Sequence, residues 1–190
     1  MTQRVTPSLM DVKHLQIIRT NVTAFMNHVA ATYLPPTQVG RLLDIAPQDH
    51  EGARPFFPHT IRVETLDIDP NANCTYHGDI CTYNAFLDDN SFDFIVCTEV
   101  LEHTLQPFAA ADELWRLLKP EGYLFVSVPF NFRIHGPLPD CWRFTEHGLR
   151  ALLHRFTICE MNGIETPERP LMPIHYTVVA QKPVATTPLE

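Results

Sequence analysis

Hydrophobic side chains recur at the spacing of a helix in three stretches of this chain. Across residues 10–33 this pattern predicts one amphipathic helix or two, ended by a pair of prolines. A second helix is predicted from Pro107 to the turn at residues 119–122. Thr145 is a typical N-cap residue and predicts a short third helix that ends near residue 154.

Short hydrophobic runs without a helical period lie around these helices, and turn-forming residues bound most of them. Such runs are typical of buried parallel strands. They occupy residues 39–46, 61–68, 75–77, 92–98 and 123–128. Two alternating segments, 156–161 and 175–181, come last, and we expect a long proline-containing loop to join them.

Strands that alternate with helices, followed by two strands with no helix between them, predict an α/β fold. We expect a mostly parallel sheet of seven strands, with one antiparallel C-terminal strand and helices on both faces. The chain is predicted to be a single domain, 1–190, because no linker interrupts it and single domains commonly have about 100–200 residues. Residues 1–36 would form an N-terminal helical segment and residues 183–190 a flexible tail.

Composition narrows the classes of protein that this fold could serve. The formal net charge of -8 and the absence of any lysine or arginine run argue against nucleic acid as a partner. No apolar stretch approaches the roughly 18–20 residues that cross a bilayer, and no leader pattern is seen, so a cytoplasmic protein without membrane contact is expected. Five scattered cysteines without a Cys-x-x-Cys pair indicate neither a disulfide framework nor a structural zinc site.

Acidic residues mark the carboxyl ends of the predicted strands, at Asp44, Asp67, Asp79 and Glu99. In an open parallel sheet the ligand lies beyond these ends. A carboxylate after the second strand can accept hydrogen bonds from both hydroxyls of a ribose. A carboxylate one strand further along can accept one from the exocyclic amine of a nucleobase. Together they would recognise an adenosine without phosphates.

With these acids in place, the chain resembles the class I S-adenosylmethionine-dependent methyltransferases, in the group often called methyltransferase type 11. The resemblance covers residues 39–181 and implies the Rossmann-like methyltransferase sheet. The matching segments are Leu42-Leu43-Asp44-Ile45, Leu66-Asp67-Ile68-Asp69-Pro70, Gly78-Asp79-Ile80, Asn90-Ser91-Phe92-Asp93, Glu99-Val100-Leu101-Glu102-His103, Leu117-Leu118-Lys119-Pro120-Glu121-Gly122, Ser127-Val128-Pro129-Phe130, His135-Gly136-Pro137, Asp140-Cys141-Trp142-Arg143-Phe144-Thr145 and Gly148-Leu149.

The resemblance implies S-adenosylmethionine as cofactor and a role for each strand end. Asp67 would hold the ribose hydroxyls and Asp79 the adenine amine. Ile68 and Ile80 would lie on the two sides of the adenine ring. Glu99 would lie along the methionine end of the cofactor.

The loop after the first strand departs from the family. It normally reads Gly-x-Gly-x-Gly, because only glycine lets the backbone approach the cofactor closely. Asp44 and Ala46 are expected in the cofactor site, but the three glycine positions hold Ala46, Gln48 and His50, and none of the 7 glycines of the chain falls there.

The first two crossovers also differ in length. Asp44 and Asp67 lie 23 residues apart, as in an ordinary member, although Pro55 and Pro58 interrupt a regular helix there. Asp67 and Asp79 lie only 12 residues apart. Since a parallel crossover alone needs about a dozen residues, the second crossover helix is predicted to be shortened to a turn or absent.

Two histidines are the candidate catalytic bases. His103 follows the fourth strand and His135 lies in the loop after the fifth, where an acceptor would bind. Asp140, Trp142 and Arg143 are the candidate acceptor-binding residues in that loop. The alternatives are a structural His103 bonded to backbone, a Trp142 in the core, and an Arg143 paired to an acid to fasten the loop.

No metal is expected at this end of the sheet. Glu99, Glu102 and His103 form a loose acidic cluster, but the sequence around them shows no spacing typical of two histidines and a carboxylate.

Two functions remain open at this point. The first is a methyltransferase that acts on an oxygen or nitrogen atom of a small molecule or a glycan unit. The second is a catalytically silent methyltransferase-like domain that binds another nucleoside-type ligand or a protein partner, which the absent glycines favour. A dehydrogenase is a weaker third option, because no glycine turn is present to hold a pyrophosphate. A homodimer is compatible with the sequence, but no pattern predicts it.

Overall fold

One mixed sheet organises the structure, a computed structural model that describes residues 6–35, 37–47 and 51–184. In these residues seven strands lie in the order β3-β2-β1-β4-β5-β7-β6. The strands are β1 (Gly40–Ile45), β2 (Ile61–Asp67), β3 (Tyr76–His77), β4 (Phe92–Thr98), β5 (Leu118–Pro129), β6 (Thr157–Thr166) and β7 (Arg169–Gln181). The helices are α1 (Leu9–Tyr33), α2 (Pro107–Leu117) and α3 (Glu146–Leu152).

Five strands form the parallel part of the sheet. β1 pairs in parallel with β2 on one side and with β4 on the other, while β3 and β5 extend the two halves. β7 lies antiparallel between β5 and β6. The strand order reverses between β1 and β4, which creates a crevice at their carboxyl ends. The predicted seven-stranded sheet, mostly parallel with an antiparallel C-terminal strand, is confirmed.

Different helices cover the two faces of the sheet. α1 and the segment around Phe57 pack on one face, and α2 and α3 pack on the other. The side chains of β4 alternate accordingly, since Phe94 and Val96 belong to the cluster under α1, and Ile95 and Cys97 to the cluster under α2. Helices on both faces were predicted and are confirmed.

The first predicted helix is one continuous element. Ser8 caps it, because its Oγ accepts the backbone N–H of Asp11 while the carboxylate of Asp11 accepts the N–H of Ser8. The buried side chains of α1 are His14, Ile18, Phe25, Met26 and Val29.

None of the helices among the described residues combines the length and the hydrophobicity that a membrane span requires.

The crossovers between β1 and β4 contain no α-helix among the described residues. The β1–β2 connection holds only a 3-10 turn at Arg54–Phe56. Residues 68–75, between β2 and β3, form bends and turns, as the short spacing predicted. Residues 78–91, between β3 and β4, also lack a helix, which the sequence did not indicate.

The connection between the last two strands was predicted wrongly. β6 and β7 form a hairpin whose pairing runs from Thr157 opposite Gln181 to Thr166 opposite Arg169, and no long loop separates them. Pro170 and Pro173 are tolerated in β7 because they lie beyond His175, the last residue paired with β5.

Two boundaries also differ from the prediction. β5 begins at Leu118, which pairs with Phe92, so the predicted turn at residues 119–122 is an irregularity within the strand. α3 ends at Leu152. The end of the predicted tail, residues 185–190, lies outside the described residues.

Arg116 of α2 fastens the helix-free β3–β4 crossover to the rest of the protein. Its guanidinium donates to the buried carboxylate of Glu113 at 2.8 Å and to the backbone oxygens of Asn84 and Leu87 at 3.1 and 2.8 Å. Glu113 in turn accepts the backbone N–H of Asn84 at 2.9 Å. This ion pair thus anchors the crossover to α2, whereas in other sheets a crossover helix packs directly on the sheet.

We expect Arg116→Met to lower the free energy of unfolding by about 3 kcal/mol, because it leaves the Glu113 carboxylate buried without its cation. Urea denaturation followed by circular dichroism measures this loss. Arg150→Met is the matched control, since Arg150 pairs with Glu146 at 2.9 Å while both side chains are half exposed. The control should change stability by less than about 0.5 kcal/mol. Equal losses in the two variants would contradict the role of Arg116.

Candidate functional site

The candidate site is the crevice between the carboxyl ends of β1 and β4. The register places Asp44 of β1 beside Val96 of β4, and Ile45 of β1 beside Leu66 of β2. The strand ends therefore stand in a row, and the acidic residues predicted there follow one another along one edge of the sheet.

Asp67 and Asp79 share the same local geometry on adjacent strands. Oδ1 of Asp67 accepts the N–H of Asp69 at 2.9 Å, and Oδ1 of Asp79 accepts the N–H of Cys81 at 2.8 Å. Each bond spans two residues and fixes the carboxylate beside its own strand end. Among the described residues, Oδ2 of neither aspartate has a hydrogen-bond partner. Each carboxylate is thus oriented and retains one oxygen for a ligand.

The predicted pair of isoleucines divides between surface and core. Ile68 follows Asp67 and is 66% exposed. Ile80 follows Asp79 but is only 6% exposed and belongs to the buried cluster that also contains Leu66. Ile68 is therefore accessible to a flat ring at this edge, whereas the expected position of Ile80 on the opposite side of the ring does not match its burial.

Asp44 is a buried acid at the end of β1. Its Oδ2 accepts the N–H of Ala53 at 2.7 Å. Gly52 permits this approach, because its φ is +57° and a Cβ there would lie 2.2 Å from the same oxygen. Burial raises the pKa of Asp44 to about 7, despite the hydrogen bond from Ala53.

Ala46, at the family's first glycine position, has a backbone conformation that favours glycine. Its φ is 51°, in the left-handed region, and its N–H donates to the carbonyl of Leu66 at 2.8 Å. An alanine thus takes a left-handed conformation directly after β1. Gln48 and His50, the other two glycine positions, lie outside the described residues.

Glu99 lies at the end of β4 in a polar network that sequence reasoning missed. Its Oε1 accepts the hydroxyl of Ser127 at 2.8 Å and Nε2–H of His175 at 2.7 Å. Nδ1 of His175 accepts the side-chain amide of Asn21 at 2.8 Å, which assigns the ring proton to Nε2. Ser127 and His175 each interrupt an apolar strand, and this interruption was the available signal. The network connects α1, β5 and β7 to Glu99.

Glu102 brings both candidate histidines together. Its Oε1 lies 3.7 Å from Nε2 of His103 and 3.7 Å from Nε2 of His135. The two imidazole rings are 4.8 Å apart. Burial, followed by the charge of Glu99, raises the pKa of Glu102 well above its usual range. The sequence shows no spacing typical of two histidines and a carboxylate, but the loop after β5 brings His135 next to Glu102 and His103.

Each of these histidines is held through its other nitrogen. Nδ1 of His103 lies 2.9 Å from the carbonyl oxygen of Pro139, and Nδ1 of His135 lies 3.1 Å from the carboxylate of Asp140. Burial lowers the pKa of His135, although the charge of Asp140 opposes this shift. The backbone contact predicted for a structural His103 is present, and the same side chain also lies beside Glu102 and His135.

Arg143 and Asp140 fasten the loop after β5. The guanidinium binds both carboxylate oxygens of Asp140, at 2.5 and 2.8 Å, and donates to the backbone oxygens of Arg133 and Phe132. Burial raises the pKa of Asp140, but Arg143 and the N–H of His135 outweigh it and lower this pKa to about 2. The loop-fastening alternative therefore describes these two residues.

Trp142 is partly exposed in the loop after β5. Its Nε1–H donates to the carbonyl of Thr104 at 2.8 Å, and its ring stacks on Phe144 with 6.1 Å between centroids. The residue is 40% exposed, so it is not a core residue. Because the backbone N–H of Trp142 donates to the carbonyl oxygen of Glu102 at 3.1 Å, this partly exposed residue follows the polar cluster closely in the fold.

Solved structures with this fold are numerous and distant in sequence. An S-adenosylmethionine-dependent methyltransferase from Methanosarcina mazei superposes with a TM-score of 0.65 at 19% identity, covering 82% of this chain and 97% of that one. The phosphoethanolamine N-methyltransferase 2 of Haemonchus contortus, in complex with S-adenosyl-L-methionine, gives 0.62 at 17% identity and covers 83% of this chain and 52% of that one. The CurJ carbon methyltransferase gives a TM-score of 0.62 at 17% identity and covers 84% of this chain and 54% of that one.

Comparison of sequences identifies the family. No curated protein matches the chain. A family model described as a methyltransferase domain matches residues 18–162. The predicted resemblance is thereby confirmed: the chain belongs to the methyltransferase-domain family and has the fold of the class I S-adenosylmethionine-dependent methyltransferases.

Proposed function

We propose that this protein transfers the methyl group of S-adenosylmethionine to an oxygen or nitrogen atom of a small molecule or a glycan unit. The observation that carries the proposal is the arrangement at one sheet edge. Asp67 and Asp79 each present an anchored carboxylate with an available oxygen. Beyond β4, His103 and His135 direct two nitrogens toward the same position.

The adenosine half of the cofactor fits the strand ends of β2 and β3. The available oxygen of Asp67 can accept from the ribose hydroxyls, and that of Asp79 from the adenine amine. The exposed Ile68 offers an apolar surface for one side of the adenine ring. Its buried counterpart Ile80 supports the site from the core.

The methionine half fits the ends of β1 and β4. S-adenosylmethionine supplies a methyl group on a positively charged sulfonium, and an α-amino group carries a second positive charge. Asp44 and Glu99 are the acids of the two strands that border the crevice. Ala46 follows β1 directly and has a positive φ. We assign these three residues to that end of the cofactor.

The acceptor fits beside the cluster of His103, His135 and Trp142. A hydroxyl or amine acceptor loses a proton when it is methylated, so a basic nitrogen near the acceptor atom assists the reaction. The partly exposed ring of Trp142 could pack against the apolar face of a sugar ring, which favours a glycan unit among the acceptors. Arg143 and Asp140 hold this loop in place and contribute by positioning His135.

Asp67→Ala should weaken binding of S-adenosylmethionine and S-adenosylhomocysteine by about 10- to 100-fold, because hydrogen bonds to a charged carboxylate contribute about 1.5–3 kcal/mol. Titration calorimetry measures both affinities. Asp88→Ala is the control, since Asp88 is an exposed acid in the turn before β4, and it should leave both affinities unchanged.

Two outcomes would contradict the proposal. Absence of binding by the unmodified protein, together with thermal stabilisation by other nucleosides or by a protein partner, would support the catalytically silent domain instead. Binding that survives Asp67→Ala undiminished would remove Asp67 from the cofactor site.

We expect the contribution of Asp44 to cofactor affinity to increase with pH up to about 7 and to level off above it. The pKa of Asp44 near 7 means that this acid is largely protonated below pH 7. A bound cation favours the ionised carboxylate and lowers its pKa, so binding must release a proton below pH 7. Measured from pH 5.5 to 7.5, the ratio of wild-type affinity to Asp44→Asn affinity should increase with pH. Titration of the ligand itself cancels in this ratio, and a constant ratio would contradict the assignment.

The acceptor atom is tested on the product. Incubation with isotopically labelled S-adenosylmethionine and extracts of small metabolites and glycans should yield a product one methyl group heavier, with the label on oxygen or nitrogen. Fragmentation by mass spectrometry locates the methyl group. A label found only on carbon would contradict the proposed acceptor class.

A further inference from the structure

The cluster of Glu102, His103 and His135 contains a buried carboxyl group that has no hydrogen-bond partner among the described residues. Both carboxylate oxygens of Glu102 are buried and have no hydrogen-bond partner in the described residues. The side chain of Glu102 is 0% exposed. Buried polar atoms are nearly always paired, because an unpaired one loses its hydration without compensation. A buried carboxylate without a donor therefore indicates an absent partner.

The two histidines cannot supply that partner as neutral rings. Nδ1 of His103 faces the carbonyl of Pro139, and Nδ1 of His135 faces the carbonyl of Arg133 and the carboxylate of Asp140. All three are acceptors, so both protons lie on Nδ1 and each Nε2 presents a lone pair. Two nitrogen lone pairs and an unpartnered carboxyl oxygen thus converge on one position.

The distances suit a metal ion better than hydrogen bonds. Each Nε2 lies 3.7 Å from Oε1 of Glu102, too far for a hydrogen bond, and the three ligand atoms all lie within 4.8 Å of one another. A tetrahedral zinc ion with ligands at about 2.0–2.2 Å keeps them about 3.3–3.5 Å apart. Small side-chain rotations would close the difference.

The contacts around the cluster are those of a metal site as well. Metal-binding histidines usually donate their other N–H to a backbone carbonyl or a carboxylate, which fixes the ring and its tautomer. His103 does so through Pro139 and His135 through Asp140, which Arg143 holds in turn.

We propose that Glu102, His103 and His135 bind one divalent transition-metal ion of the zinc class. Two imidazole nitrogens and a carboxylate oxygen are ligands that such ions prefer, and three protein ligands leave a position open. Resting on the proposed methyl transfer, we assign that position to an oxygen or nitrogen atom of the acceptor, which the ion would orient and make more acidic. His103 and His135 then act as ligands and not as direct bases.

Metal binding can be measured without any methyl transfer. Protein freed of metal by a chelator should take up one Zn²⁺ per chain in competition with a chromophoric chelator, and Co²⁺ should give visible absorption bands typical of a site with histidine ligands. Since loss of an outer partner alone weakens metal binding 10- to 100-fold, Glu102→Gln and His135→Ala should each weaken it by at least about 100-fold. His154→Ala, at an exposed histidine after α3, should leave the affinity unchanged.

Two results would overturn the metal site. One is failure of Zn²⁺ and Co²⁺ to bind stoichiometrically to the unmodified protein. The other is an affinity that stays the same in Glu102→Gln and His135→Ala, provided that their circular dichroism spectra match the wild type. Calorimetry with S-adenosylmethionine on the same samples separates this result from the proposed function, because cofactor binding rests on Asp67 and Asp79.

Discussion

Parallel hydrogen bonding between β1 and β4 joins the two halves of the sheet, with Leu42 beside Phe94 and Asp44 beside Val96. The strand order reverses at this pair, so the connections that leave it run in opposite directions and a crevice opens at the carboxyl ends. Asp44 and Glu99 come from these two strands, and Asp67 and Asp79 continue the row across β2 and β3. The candidate cofactor site follows from this pairing.

Polar contacts stabilise the segments in which helices are absent. Arg116 and Glu113 hold the β3–β4 crossover, and Asp44 holds the backbone at Ala53 after the loop that replaces the glycine motif. Arg143 performs the same task in the loop after β5 through Asp140. Glu113 and Asp140 each accept several hydrogen bonds, including those from an arginine, whereas Asp44 accepts one, from the N–H of Ala53. Withdrawing a carboxylate from water costs free energy unless such contacts compensate it. Each of these segments is thereby connected to a neighbouring part of the fold.

Sequence patterns predicted most of the fold because they depend on local periodicity. The strands at β1, β2 and β4 and the helices α1 and α2 were expected within one or a few residues of their observed bounds. The hairpin of β6 and β7 was missed, because Pro170 and Pro173 indicate a loop. A strand tolerates these prolines only where it has no neighbour on one side, and the sequence does not show this. The absence of a helix at residues 78–91 could not be predicted from local sequence patterns either, because this segment is held by contacts with α2.

The sequence by itself determined the order of the elements, the acids at the strand ends and the loss of the family's glycines, because each is written in neighbouring residues. Tertiary structure alone decided which of those residues share a site. It separated the exposed Ile68 from the buried Ile80, committed Arg143 to Asp140, and connected Glu99 to His175 and Ser127. It also brought His135 to Glu102 and His103, since the distance between side chains depends on how the chain returns to the sheet and not on their separation along it.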